Sequence, residues 1–151
     1  AGLRSFNRRM PEEHNRVLTD HAADLLLAPT EVAREHLAAE GLAERTVVTG
    51  DVMTDVCLRV AGAVQDAPVT LPAGIDPDGD YAVATIHRAD NTDDPQRLRA
   101  IVDALQALEI PLALFAHPRL VAKAREAGIE LAGGAVHVGE PVAYPELVGA
   151  V

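Results

Sequence analysis

The chain contains very little of several residue types, and each scarcity excludes a class of protein. Aromatic residues make up 3% of the sequence and Trp is absent, so the core must consist of Ala, Val, Leu and Ile, as in buried parallel strands and the helices that cover them. Cys57 is the one cysteine, which excludes an intrachain disulfide and favours a cytoplasmic location. Because Cys57 lies in an apolar stretch, we expect it to be a small buried residue. Apolar runs are shorter than the roughly 18 residues of a membrane span, so no membrane association is expected.

Positive charge is scarce as well. The chain has 13 Lys and Arg against 23 Asp and Glu, a formal net charge of −10, which argues against binding to nucleic acids or anionic membranes. The net charge does not argue against a small anionic substrate, because a local cluster of Arg and His can oppose the overall charge. Glycine-rich nucleotide motifs, the nucleophile elbow and zinc-ligand spacings are absent, so the sequence predicts neither a cofactor nor a metal site.

What the sequence does contain is an alternation of apolar strands and amphipathic helices. Strands are predicted at 25–28, 46–49, 81–86, 112–116 and 135–138. Helices are predicted from Pro11, at 31–40 and 52–64, from Asp94, and at 120–127 and 144–151. This alternation predicts an α/β fold with right-handed βαβ units and parallel sheets. Residues 66–78, rich in Pro, Gly and Asp, predict a linker between parts 1–65 and 79–151.

Polar residues follow three of the predicted strands. In open parallel sheets ligands bind outside the carboxyl ends of the strands, so Asp51, His87, Arg88, His117 and Arg119 are expected on the ligand face. A His can transfer protons near neutral pH, and an Arg can bind phosphate through two parallel hydrogen bonds.

Two interpretations of the pair His87–Arg88 remain open. The pair could contact a ligand, or it could be an ordinary surface pair with Asp90, Asp93 or Asp94 as ion-pair partners. After the next strand, Pro118 is expected to stiffen a loop that fixes His117 at the strand tip.

Five runs of sequence resemble, in order, those of non-hydrolysing UDP-N-acetylglucosamine 2-epimerases. They are AGLRSFNRRMPEEHNRVLTDHAADLLLAPT, VVTGDVMTDV, ATIHRADNTDDPQRL, FAHPR and GEPVAYPEL. The resemblance covers essentially the whole chain and identifies it as an internal fragment of a family member. It implies part of a GT-B architecture, two Rossmann-like domains with the active site between them. Residues 1–65 would end the N-terminal domain, and 79–151 would form the first half of the C-terminal domain.

The resemblance also implies an activity, the interconversion of UDP-GlcNAc and UDP-ManNAc through UDP elimination and re-addition. His87 would lie near the diphosphate and assist the departure of UDP, and Arg4 would line the same cleft. Arg88 would bind substrate beside His87. The backbone around Val142 and Leu147 would hold uracil.

Other implications concern regulation, assembly and completeness. His117 matches a residue of a regulatory UDP-GlcNAc site, and the resemblance suggests a homodimer that supplies polysaccharide precursors. The excess of Arg over Lys and the abundance of Ala indicate a GC-rich bacterial genome. The family's catalytic carboxylates would lie upstream of Ala1 and its Ser-Gly-Gly loop beyond Val151, so the isolated chain is expected to be inactive. Alternatives are a GT-B glycosyltransferase, a hydrolysing epimerase and a non-catalytic UDP-sugar-binding module.

Overall fold

The structure, a computed structural model, describes every residue from Ala1 to Val151 and divides the chain into two units, Ala1–Arg59 and Val60–Val151. The helices are α1 (Pro11–Ala22), α2 (Glu31–Ala39), α3 (Val52–Val64), α4 (Ala89–Thr92), α5 (Pro95–Gln106), α6 (Pro118–Glu126) and α7 (Tyr144–Gly149). The strands are β1 (Leu26–Ala28), β2 (Thr46–Val48), β3 (Ala82–Ala84), β4 (Leu112–Phe115) and β5 (Val136–Gly139). The predicted α/β class with parallel sheets is confirmed. None of the helices is both long enough and apolar enough to cross a membrane.

Proline and polar caps set where the helices begin. A proline occupies the first turn of α1, α5 and α6, where its missing N–H costs nothing and its fixed φ suits a helix. Thr30 caps α2 by accepting a hydrogen bond from the Ala33 N–H at 3.1 Å. Asp94 caps α5 by accepting from the first-turn amides. Each cap satisfies amides that lack a partner within the helix.

The first unit contains a two-stranded parallel sheet in which β1 pairs with β2. Helix α2 covers one face of this sheet, and the core consists of buried residues of β1, α2 and the turn that follows. On the other face Leu27 and Val47 are each about half exposed. The sheet of the first unit is therefore covered on one side within this chain.

Helix α3 differs from the sequence prediction. Cys57, expected to be buried, is exposed, and no residue of α3 is buried. Val52 and Leu58 are each 67% exposed. An apolar helix is buried only where a second apolar surface packs on it, and composition alone does not reveal whether the chain supplies that surface.

The second unit is built on a parallel sheet in the order β3-β4-β5. All four residues of the central strand β4 are buried. Leu112 and Leu114 pack into a core with α5 and α6 on one face, and Ala113 and Phe115 pack into a second core on the other. Ile75, within the predicted linker 66–78, belongs to that second core. Burial on both faces explains why β4 is a continuous apolar run.

The side chain of Gln106 joins the end of α5 to the segment that precedes β5. Its Nε2 donates to three carbonyls of residues 130–132, at 3.0 to 3.4 Å. Its backbone carbonyl accepts from the Ala135 N–H at 3.1 Å. Gly134 has φ +53°, and a Cβ there would collide with the Gln106 carbonyl oxygen. The entry into β5 therefore depends on glycine and on the end of α5.

Two local features differ from the sequence prediction. Residues 89–92, which lie between the strand predicted at 81–86 and the helix predicted from Asp94, form the one-turn helix α4. A four-residue helix is too short to show a period in the sequence. The loop predicted at 117–119 is the start of α6. His117 is its N-cap and Pro118 its first residue, the position that proline favours in a helix.

Candidate functional site

The loops after β3 and β4 lie at the same edge of the second sheet, because the two strands are parallel neighbours. His87 and Arg88 follow β3 and are exposed. Neither side chain makes a hydrogen bond or ion pair with the rest of the chain. Both groups are free to contact a ligand, which agrees with the edge at which parallel sheets bind ligands.

A short anchored turn follows this pair. Thr92 is 2% exposed, and its hydroxyl donates to the Arg88 carbonyl at 3.2 Å. The Asp93 N–H donates to the Ala89 carbonyl at 2.8 Å and ends α4. Arg88 and Asp93 are thus held on one rigid turn, although both are exposed.

An ion pair joins this turn to the start of α6. Arg119 Nη2 lies 2.8 Å from both carboxylate oxygens of Asp93. His117 caps α6, and its Nδ1 accepts a hydrogen bond from the Arg119 N–H at 3.2 Å. Asp94 is used as a helix cap. Asp93 and Asp94 were both considered as ion-pair partners of His87 and Arg88. In the structure Asp93 binds Arg119, and Asp94 accepts hydrogen bonds from the first amides of α5.

The segment after β5 contributes packing residues. Val142 and Leu147 are partly buried and pack against the core that contains Phe115 and Ala150. Their side chains point into the protein, so a ligand at this position would meet the backbone and not these side chains. Asp51, the other strand-end residue, belongs to the first unit, and its carboxylate accepts from the Met53 N–H at 2.9 Å at the start of α3.

Arg4, in the first unit, lies in a buried network of carboxylates. Its side chain is 1% exposed, and Nη1 lies 2.8 Å from Asp20 while Nε lies 2.7 Å from Glu40. Nη2 donates to the second oxygen of Glu40 at 2.9 Å. Hydrogen bonding to Glu40 raises the pKa of Arg4, and the Arg4 guanidinium lowers the pKa of Glu40. His21 Nε2 also contacts Glu40, at 3.1 Å.

Glu13 holds the segment that follows Arg4. Its carboxylate accepts from the Ser5 N–H, the Ser5 hydroxyl and the Phe6 N–H, each at 2.9 Å. The Ser5 N–H bond lowers the pKa of Glu13 most; burial opposes it, and the other donors add to it, giving a pKa of about 2. This anchoring fixes a strained turn, in which Phe6 has φ +56°.

Glu13, Asp20 and Glu40 were not predicted from the sequence as buried or site residues. Glu13, Val17 and Asp20 share one face of α1 at i, i+4, i+7 spacing, and Glu13 and Asp20 are the buried residues of that helix. Acidic residues at the core-facing positions of an amphipathic helix are the available signal, because buried carboxylates require cationic or N–H partners.

A groove of about 540 Å³ runs along α1 in the first unit. Its apolar lining includes Phe6, Val17 and Leu18. Two of its polar lining residues, Arg4 and Glu40, already bind one another. The structure contains no group of three or more His, Cys, Asp or Glu placed to hold a metal ion.

Comparison with known proteins identifies the family. The family model described as UDP-N-acetylglucosamine 2-epimerase matches residues 1–151. The chain belongs to this 2-epimerase family. A UDP-2,3-diacetamido-2,3-dideoxy-D-glucuronate 2-epimerase of Pseudomonas aeruginosa is 44% identical over 98% of this chain and 41% of its own length. A UDP-N-acetylglucosamine 2-epimerase of Methanocaldococcus jannaschii is 36% identical over 98% of this chain and 43% of its own.

The likeness extends to structure. The M. jannaschii 2-epimerase in complex with UDP-GlcNAc and UDP matches with a TM-score of 0.74 and 32% identity, over 97% of this chain and 43% of that one. This match confirms the predicted fold class, α/β as part of the GT-B architecture. The chain spans about two-fifths of the length of the 2-epimerases that it matches.

Proposed function

We propose that the protein containing this chain interconverts UDP-GlcNAc and UDP-ManNAc by inverting C2, and supplies precursors of cell-surface polysaccharides. The observation that carries the proposal is the family match over residues 1–151. The HRADN and HPR loops support it, since they lie at the sheet edge where a nucleotide sugar would bind.

The chemistry proceeds by elimination and re-addition. A base removes the C2 proton, the C–H electron pair forms a C1–C2 double bond, and the C1–O bond to UDP breaks with its pair on the leaving oxygen. A proton then adds to C2 from the opposite face while the UDP oxygen re-forms the bond to C1. Such a reaction needs a general base and a cationic site for the diphosphate.

The residues of this chain are assigned as follows. His87 assists the departure of UDP by interacting with the leaving diphosphate, and Arg88 binds the same group. Both have free, exposed side chains. The backbone near Val142 and Leu147 holds uracil. The family resemblance also assigns Arg4 to the reaction, and in the first unit its side chain is bound to Asp20 and Glu40.

The larger organisation is part of the same proposal. Residues 1–65 belong to the N-terminal Rossmann-like domain, 66–78 to a linker and 79–151 to the C-terminal one. The protein is a cytoplasmic homodimer, and His117 belongs to a regulatory UDP-GlcNAc site. Light scattering of the full-length gene product tests the dimer. Initial rates of the H117A variant test regulation, since a sigmoidal dependence on UDP-GlcNAc should become hyperbolic.

The deciding experiment is proton NMR of the full-length gene product with UDP-GlcNAc in D₂O. UDP-ManNAc that carries deuterium at C2 is the expected product, because the abstracted proton exchanges with solvent. Free ManNAc with UDP would assign the hydrolysing branch instead. An unchanged spectrum that becomes productive on adding a sugar acceptor would assign a glycosyltransferase. UDP-GlcNAc binding without any turnover would assign a binding module.

A second candidate substrate has its own support. The P. aeruginosa relative, which is named for UDP-2,3-diacetamido-2,3-dideoxy-D-glucuronate, is 44% identical to this chain, against 36% for the M. jannaschii 2-epimerase named for UDP-GlcNAc. That substrate adds a carboxylate at C6 and a second acetamido group at C3. A competition assay with both nucleotide sugars gives the ratio of kcat/KM values directly. A ratio above about 10, or a difference of about 1.4 kcal/mol in transition-state binding, decides between them.

A further inference from the structure

We propose that Asp93 and Arg119 are positioning residues that hold the turn bearing His87 and Arg88 in place for the reaction. The inference rests on the proposed function, because it assigns a role to that same site. Its basis is the contact between Arg119 Nη2 and both Asp93 oxygens, at 2.8 Å each. The contact joins two segments that are 26 residues apart in sequence.

Arg119, one member of this ion pair, lies on a helix that packs against the core. Arg119 lies in the first turn of α6, directly before Leu120, which is 0% exposed. The Arg119 backbone N–H is held by the capping His117. The start of α6 is therefore a fixed support, and the Arg119 side chain extends from it to the neighbouring loop.

The other member, Asp93, lies on the turn that carries the ligand-facing pair. Asp93 ends α4, and the buried Thr92 ties this helix to the Arg88 carbonyl. The position of Asp93 therefore constrains the whole turn, including Arg88 and the preceding residue, His87. The ion pair at Asp93 thereby constrains the positions of both side chains. Because small displacements of reacting groups lower rates strongly, loss of the ion pair should lower the rate of the reaction.

Direct binding of phosphate by Arg119 is the competing role. Asp93 already binds Nη2 of the Arg119 guanidinium, whereas the side chains of Arg88 and His87 have no partner. The side chains without any partner at this edge of the sheet are therefore those on the turn. Asp93 and Arg119 side chains are 49% and 47% exposed, so their ion pair contributes little to overall stability and the variants should fold.

The test uses the full-length gene product with D93N, R119Q, their double variant and the charge reversal D93R/R119D. The control is K123Q, which removes another exposed ion pair of α6, the one between Lys123 and Glu126 at 3.0 Å. We expect each single variant to lower kcat about fivefold with KM and melting temperature near wild type. The double variant should be no worse than either single one, the charge reversal should recover part of the loss, and K123Q should retain full kcat.

Three outcomes overturn the proposal. Effects of D93N and R119Q that multiply in the double variant show independent roles. Tighter UDP binding in D93N with weaker binding in R119Q shows that Arg119 contacts phosphate directly. Single variants as active as K123Q show that the tether does nothing.

Amide hydrogen exchange separates this proposal from the proposed function. Exchange of residues 87–93 should become about two- to fivefold faster in D93N and R119Q, and not in K123Q, whether or not the protein is an epimerase. Unchanged exchange refutes the tether. Faster exchange in a protein that shows no C2 chemistry upholds the tether and refutes the proposed function alone.

Discussion

Replacing Arg4 with Met should unfold the first unit at much lower denaturant concentration. The substitution keeps a long apolar stem but removes the cation, which leaves Asp20 and Glu40 without their guanidinium partner. Removing one member of a buried ion pair costs about 3–5 kcal/mol, because a charge remains in the interior. Asp20 keeps the Gly2 N–H and Glu40 keeps His21, so we expect the lower end of this range, about 3 kcal/mol.

The measurement is urea unfolding of the 151-residue chain, monitored by far-UV circular dichroism. Tyrosine fluorescence is unsuitable, since Tyr81 and Tyr144 both lie in the second unit and Trp is absent. With a slope of about 1–3 kcal/mol per molar urea, a loss of about 3 kcal/mol lowers the midpoint by about 1–3 M. The matched control is R8M, at an exposed position where we expect a change within about 0.5 kcal/mol.

Two further variants test the cause. R4K keeps the charge but cannot bind Glu40 through two nitrogens, so its stability should lie between wild type and R4M. The triple variant R4M/D20N/E40Q removes the stranded charges and should be more stable than R4M alone. An R4M protein as stable as R8M, or a triple variant less stable than R4M, would refute the assignment of Arg4 to a buried charge network.

Three other predictions follow from single residues. The stability that the Glu13 carboxylate adds should be fully present above its ordinary pKa of 4.5 and disappear as the pH falls toward 2. The difference in urea midpoint between wild type and E13Q should therefore shrink between pH 5 and about pH 2.5. A difference that stays constant over this range would contradict the prediction. G2A should cost at least about 2 kcal/mol, because Gly2 has φ +79° and a Cβ would collide with the Ala33 carbonyl; G41A, also at φ +79° but in open space, should cost clearly less in the same thermal melts. In the full-length gene product, H87Q should lower kcat by about 100-fold or more while the melting temperature stays unchanged. A melting temperature that falls together with kcat would indicate a structural role instead.

Much of the architecture could be predicted because its signals are local. The alternation of apolar strands with helices predicted parallel sheets, and proline at helix starts predicted where α1 and α5 begin. Helix α4 escaped because a single turn has no measurable period. Cys57 was wrongly predicted to be buried, because the burial of an apolar helix depends on what packs over it. The sequence of the helix is the same whether it is covered or exposed.

The candidate site was predictable to a similar extent. Topology placed the loops after β3 and β4 at one edge, and the Asp93–Arg119 contact agrees with that placement. The partners themselves were not predictable, since Arg4 and Glu40 are 36 residues apart and pairing at such distances depends on tertiary geometry. The family resemblance accordingly assigned Arg4 to the cleft, whereas its carboxylate partners became visible only in the fold.

The contacts of the Gln106 side chain make the length of α5 part of the structure. One residue inserted into α5 would rotate Gln106 by about 100° around the helix axis, which would withdraw its amide from the carbonyls of residues 130–132. The strand would then lose the feature that sets its starting point. Residues 66–70, which are exposed and outside any helix or strand, carry no such constraint. Insertions and deletions during the divergence of this protein should therefore be absent from the end of α5 and accumulate in that exposed segment, where lengthening a loop costs little.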